Sequence, residues 1–138
     1  MMEFLLYLTP IGNQIINKVM MKNFHVVENG AICRDHRLFG LAKSPNFIIC
    51  TNNIKNYNVD YTSYYVNQTV YHEAVHVAQA CKRGPLGIKN IQLNGDKLTD
   101  VSKSVNLYNK SGTIYEMEAY YLEDNPEQVN RYLTKYCL

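Results

Sequence analysis

From about Thr62 to Lys82 the chain runs without a glycine or a proline, and Val66, Val70, Ala74, Val77 and Cys81 return on one helical face. A second stripe, Tyr64, Tyr71, Val75 and Ala78, widens the apolar arc, so the segment reads as a central, largely buried helix that Gly84-Pro85 terminates. A chain of 138 residues makes one domain with a single core, so residues 1–138 form one unit and every other element has to cover this helix. No internal repeat, low-complexity tract or linker divides it.

The flanking segments carry weaker but readable patterns. From Pro10 to Lys22, Ile11, Ile15, Val19 and Lys22 keep helical spacing, with Thr9 as cap, which predicts a first helix. Residues 24–27, 37–42 and 46–51 are short and rich in β-branched and aromatic types, punctuated by Asn29-Gly30 and Ser44-Pro45, and read as three strands of a small antiparallel sheet. The Asn-rich stretch from Thr51 to Asn58 reads as turns. The polar segment from Leu86 to Gly112 offers Leu98, Val101, Val105 and Tyr108 as one face of a short helix. A helix over 113–123 follows. The last begins at Pro126, with Asn125 as N-cap and Gln128 completing a capping box, and packs through Val129, Tyr132, Leu133 and Tyr136. The expected fold class is α+β, a small antiparallel sheet packed on the central helix with further helices after it.

Composition excludes more than it names. A hydrophobic content of 46% and mean hydropathy of −0.29 fit a soluble globular domain and argue against disorder. A net charge of +2, scattered along the chain, gives no reason to expect nucleic acid or a membrane surface as partner. No run approaches the ~18 apolar residues of a membrane span, and MMEFLLYLTP lacks the basic start of a signal peptide. Cys33, Cys50, Cys81 and Cys137 lie far apart with no C-x-x-C, which favours reduced thiols in a cytoplasmic chain over a disulfide scaffold, with two bridges as the alternative. Cys33 and His36 form a C-x-x-H without a matching second pair, too little for a structural zinc site.

The central helix contains His72-Glu73-Ala74-Val75-His76, an H-E-x-x-H. Spacing of four puts both imidazoles on one face, one turn apart, where two nitrogens reach one ion at ~2.0 to 2.1 Å. Glu73 lies about 100° round the helix, near enough to touch a water on that ion without being a ligand. Zinc lowers the pKa of such a water toward ~7, and the carboxylate can take its proton and deliver it to a leaving amine. His72 and His76 share their face with Tyr65, Thr69 and Gln79, opposite the Val66/Val70/Val77 stripe. Burying two imidazoles without partners is costly, which favours a metal over the bland reading of two hydrogen-bonded helix histidines. An open zinc site needs a third protein ligand. His25 and His36 lie upstream among the strands, so the downstream acids Glu116, Glu118 and Glu123 are the better candidates.

In these residues the chain resembles the gluzincin branch of the zincin metallopeptidases, whose third ligand is a Glu on a later helix in an E-x-x-A-D or E-x-x-A-N pattern. Glu116-Met117-Glu118-Ala119 matches its first part. The resemblance covers roughly residues 46–123 and implies a minimal zincin-like domain in which His72, His76 and Glu116 hold Zn2+ and Glu73 is the general base. His76 followed by Gln79 is similar to small peptidases reading HExxHxxQ. Two departures stand out. Tyr120 occupies the position where relatives carry the Asp or Asn that supports a ligand histidine, and Thr113-x-x-Glu116 is itself a capping-box pattern, which leaves Glu118 as the reserve ligand. The resemblance further implies that the strand at 46–51, as an exposed edge, pairs an extended substrate. Tyr65, Tyr115, Tyr120 or Tyr121 are candidates for the oxyanion donor.

The expected function is a zinc-dependent metallopeptidase acting on a flexible protein or peptide substrate in a shallow groove. The alternative is a non-catalytic module that keeps the metal for stability or uses the groove for binding; a purely structural site has no need of Glu73. Sequence names neither the substrate nor the oligomeric state.

Overall fold

The computed structural model describes residues 1–108 and 112–138. In chain order the elements are a 3-10 turn at Glu3–Tyr7, α1 (Pro10–Met21), β1 (His25–Glu28), a 3-10 turn at Ala31–Arg34, β2 (Gly40–Lys43), β3 (Asn46–Ile49), α2 (Thr51–Tyr57), a 3-10 turn at Val59–Tyr61, α3 (Thr62–Lys82), α4 (Gly95–Tyr108), α5 (Thr113–Leu122) and α6 (Pro126–Cys137). The chain is α+β, as its periodicities require.

The helix α3 is the expected central element, and α1, α5, α6 and β2 pack on it. Val66, Val70, Ala74 and Val77 are fully buried, together with Phe4, Ile15, Val19, Phe47, Ile49, Ile54, Val129 and Leu133 from the surrounding elements. Its end is made one residue before the glycine. Arg83 takes the left-handed conformation at φ 65°, and the N–H of Gly84 returns to the carbonyl of Gln79, which satisfies an orphan carbonyl of the last turn. Thr9 caps α1 by accepting from Gly12 N, and its hydroxyl shares a 2.7 Å hydrogen bond with Tyr71 of α3. The side chain of Asn67 reads the same junction, accepting from Thr9 N and donating to Tyr7 O. Asn125 caps α6 as expected, accepting from Gln128 N.

The sheet corrects the antiparallel expectation: it is mixed, in the order β1-β3-β2, with β3 parallel to β1 and antiparallel to β2. A short Ser44-Pro45 turn joins β2 and β3 as neighbours, whereas the long connection over 29–39 carries the chain past the central position, which β3 then fills running parallel to β1. The strand at 46–49 is therefore central, and the expectation that it forms an exposed substrate-pairing edge fails; β1 and β2 are the edges. It does not lead straight into the metal helix either. Residues read as Asn-rich turns form α2, in which Asn53, 6% exposed, donates to the carbonyls of Cys33, Asp35 and Leu38 and staples that loop. Polar composition concealed a buried tie.

All four cysteines are paired, Cys33 to Cys50 and Cys81 to Cys137, which overturns the reading of reduced thiols. The partners are 17 and 56 residues apart in sequence, so no local spacing pattern could show them; folding brings their Cα atoms within 5.5 and 5.2 Å. The second bridge fastens α6 to the end of α3. Cys33 is thereby excluded from any metal site. No helix among the described residues is long and apolar enough to cross a membrane.

Candidate metal centre

His72 and His76 lie one turn apart on α3, with ring centroids 5.3 Å apart, and face α5. There Glu116, 1% exposed, extends Oε2 to 3.7 Å from His72 Nε2 and Oε1 to 2.5 Å from His76 Nε2. One ligand atom from each of the three residues lies within 4.8 Å of the others. The capping-box role for Glu116 is not taken up, because the N-cap of α5 is Gly112, which has no side chain to complete the box, rather than Thr113. Ala119, fully buried one turn on, lets α5 approach α3.

The outer nitrogens decide which way each ring is wired. His72 Nδ1 is 2.9 Å from Glu123 Oε1 and donates to it, because a carboxylate can only accept. Gln79 Nε2 donates to Tyr115 O at 3.0 Å and to Glu118 Oε1 at 2.8 Å, so its Oε1 must face His76 Nδ1, 2.7 Å away, and accept from it. Both Nε2 atoms are thus the ones presented to Glu116. His76 Nε2 is buried and has no partner besides the Glu116 carboxylate oxygen it faces. A buried imidazole nitrogen in that state, a second imidazole and a carboxylate converging on one point fit a divalent cation that takes nitrogen and oxygen ligands.

Electrostatics point the same way. Burial pulls the His72 pKa down, but hydrogen bonds to Glu116 and Glu123 and the charge of Glu73 outweigh it and push it up to about 10. Burial likewise opposes ionisation of Glu116, yet the two histidines hold its pKa far below the usual carboxylate range. The cluster demands positive charge.

Glu118, the reserve ligand, faces away from the histidines. Fully buried, it accepts from Gln79 Nε2 and Leu86 N through Oε1 and from Gly87 N and Ile88 N through Oε2, tying the turn after α3 to the amide that orients His76. The support for His72 that Tyr120 cannot give comes from Glu123, two turns beyond Glu116. Lys97 of α4 stands behind it, 3.5 Å from Glu123 Oε2, 2.8 Å from Asp124 Oδ2, and donating to Tyr120 O. Lys97 and the supporting role of Glu123 were missed in the sequence; only the helical spacing Glu116–Glu123 hinted at the latter.

Glu73 sits beside the cluster, with Oε2 4.0 Å from His72 Nε2 and Oε1 accepting from the Ala42 N–H of edge strand β2 at 2.9 Å. That contact needs close approach of α3 to β2, and Gly40 permits it: a Cβ there would lie 2.7 Å from Thr69 Cγ2 and 2.9 Å from Ile48 O. The site opens into a cleft of about 940 Å³ whose floor is His72, Glu73 and Glu116. Phe39, Tyr57 and Tyr65 line one wall; Asp100, Lys103 and Ser104 of α4 line another. The polar segment after α3 thus supplies a wall of the groove. Of the candidate oxyanion donors, Tyr65 and Tyr120 line the cleft. The Tyr120 ring lies edge-on to His72 at 4.4 Å, its hydroxyl shares a 2.7 Å hydrogen bond with Ser104, and burial raises its pKa, keeping the phenol protonated. Tyr115 contributes its carbonyl to Gln79, and Tyr121 is exposed. His36 reaches the cleft wall and His25 does not; neither joins the ligand group.

No curated protein and no solved structure matches this chain. A family model described as a domain of unknown function, DUF8637, matches residues 4–138, and the chain belongs to that family.

Proposed function

We propose that the chain is a zinc-dependent metallopeptidase, with His72, His76 and Glu116 as ligands and Glu73 as general base, hydrolysing peptide bonds of a protein or peptide substrate. The observation that carries this reading is the placement of Glu73: a carboxylate pinned by a backbone N–H of the edge strand, at the mouth of the cluster and facing an open cleft. Zinc bound there supplies a water of lowered pKa, toward ~7, and a Lewis acid for the carbonyl. Glu73 takes one proton from the attacking water and returns it to the leaving amine, so amide and water become acid and amine. The Tyr120 hydroxyl, protonated, on the cleft wall and with its ring against His72, is our candidate donor for the developing oxyanion. The small antiparallel-plus-parallel sheet followed by a metal helix and a ligand helix supports a minimal zincin-like arrangement. Two closed disulfides favour an oxidising compartment over the cytoplasm for the working protein.

The test is zinc content and peptide hydrolysis measured together on the wild type and Glu73→Gln. One zinc per chain in both, with hydrolysis only in the wild type, is the expected result. A wild type that binds zinc, unfolds when it is removed and cleaves nothing would establish the non-catalytic alternative instead.

A further inference from the structure

We propose that the aromatic rim of the cleft is a subsite for one large apolar side chain of an extended peptide, held roughly two to four residues from the bond that is cut; this rests on the peptidase reading above. Phe39, Tyr57 and Tyr65 form a triangle of edge-to-face rings with centroids 5.4, 5.5 and 5.9 Å apart, and all three line the cleft that holds the metal cluster. They come from three separate elements, the lead-in to β2, the end of α2 and the first turns of α3, so the triangle is built by the fold and not by one flexible loop. Tyr57, 65% exposed, leaves ring surface on which a further apolar group can pack. Tyr64, outside the cleft lining and 53% exposed, packs edge-on against Tyr65 at 5.1 Å. The α4 part of the lining carries Asp100, Lys103 and Ser104, so the triangle concentrates the large apolar surface of the cleft in one place.

The distance sets the register. Tyr65 precedes His72 by two helical turns, about 10 Å along the α3 axis. An extended peptide advances ~3.3 Å per residue, so a side chain resting on the rim belongs to a residue about three positions from the one at the metal. The preference therefore falls at a distance from the scissile bond, and on one side of it.

The experiment uses zinc-loaded wild-type protein and a set of ten-residue Ser/Asn/Gly peptides, fluorescein-labelled, each with a single Phe at a different position. Cleavage sites are mapped by mass spectrometry and binding to Glu73→Gln is read by anisotropy. The expected result is about tenfold higher kcat/KM and tighter binding when Phe lies two to four residues to one side of the cut bond. Tyr57→Ser and Tyr64→Ser should erase most of that gain at unchanged zinc content, and Tyr57→Phe should retain it. Equal cleavage or equal binding of all peptides, or a Phe preference that survives both serine variants, overturns the subsite. If no peptide is cut, the peptidase reading fails, and the anisotropy series alone then upholds or overturns the rim as an apolar subsite.

Discussion

Replacing Glu118 by Gln separates a residue that builds the metal site from one that would hold the metal. Oε1 accepts from two buried donors, Gln79 Nε2 and Leu86 N, and Oε2 from two partly buried ones, Gly87 N and Ile88 N. An amide keeps one oxygen and turns the other into an NH2, so two N–H groups lose their acceptor around a side chain with no exposed surface. The amide can turn its NH2 toward the partly solvated Gly87 and Ile88, so at ~1 kcal/mol for each donor left unmade, the low end for a buried group, the metal-free chain should lose about 2 kcal/mol, a sizeable part of the ~5 to 15 kcal/mol typical of a domain. Urea unfolding in the presence of chelator, with disulfides intact, reads this as a lower midpoint at unchanged slope. At saturating zinc the variant should still bind one ion, with affinity lowered ~10- to 100-fold because Gln79 no longer fixes His76. Metal-free stability within ~0.5 kcal/mol of wild type combined with loss of the zinc would refute the assignment and return Glu118 to the ligand shell.

Other perturbations probe the remaining contacts. Lys97→Met removes the cation behind Glu123 and should weaken zinc binding ~10-fold and alter the visible spectrum of the cobalt-substituted protein, with Lys97→Arg restoring both; an unchanged cobalt spectrum in the Met variant counts against coupling through Glu123. Gly40→Ala forces a methyl against Thr69 and the Ile48 carbonyl and should destabilise by ~1 to 3 kcal/mol in thermal melts, while reducing hydrolysis by moving β2 away from Glu73; a neutral variant would mean the strand and helix yield freely. The His72 pKa is raised from 6.5 unfolded to about 10 in the folded, metal-free chain, so its stabilisation is complete below about pH 6.5 and lost as pH climbs toward 10. Urea midpoints with chelator should fall over that window while zinc affinity rises, since the metal displaces the proton; flat midpoints would contradict the shift.

Sequence alone determined the parts of this protein that rest on local period and chemistry. The Gly- and Pro-free run gave α3 its length, Thr9 and Asn125 gave two helix starts, and four-residue spacing put His72 and His76 on one face, because a helix fixes relative positions over a few residues whatever surrounds it. Which acid on α5 meets the histidines was singled out only through resemblance. Relations that cross the chain were settled by tertiary packing. Strand order and direction followed from where the long connection deposits β2, leaving the centre for β3, and the disulfide pairs from which elements meet. The choice of Glu116 over Glu118 turned on how α5 is rotated against α3: two residues on a helix differ by about 200° in direction, so one faces the histidines and the other the backbone of residues 86–88. No pattern within α5 encodes that rotation, since it is set by the apolar surfaces of α3 and α4 against which the helix comes to rest.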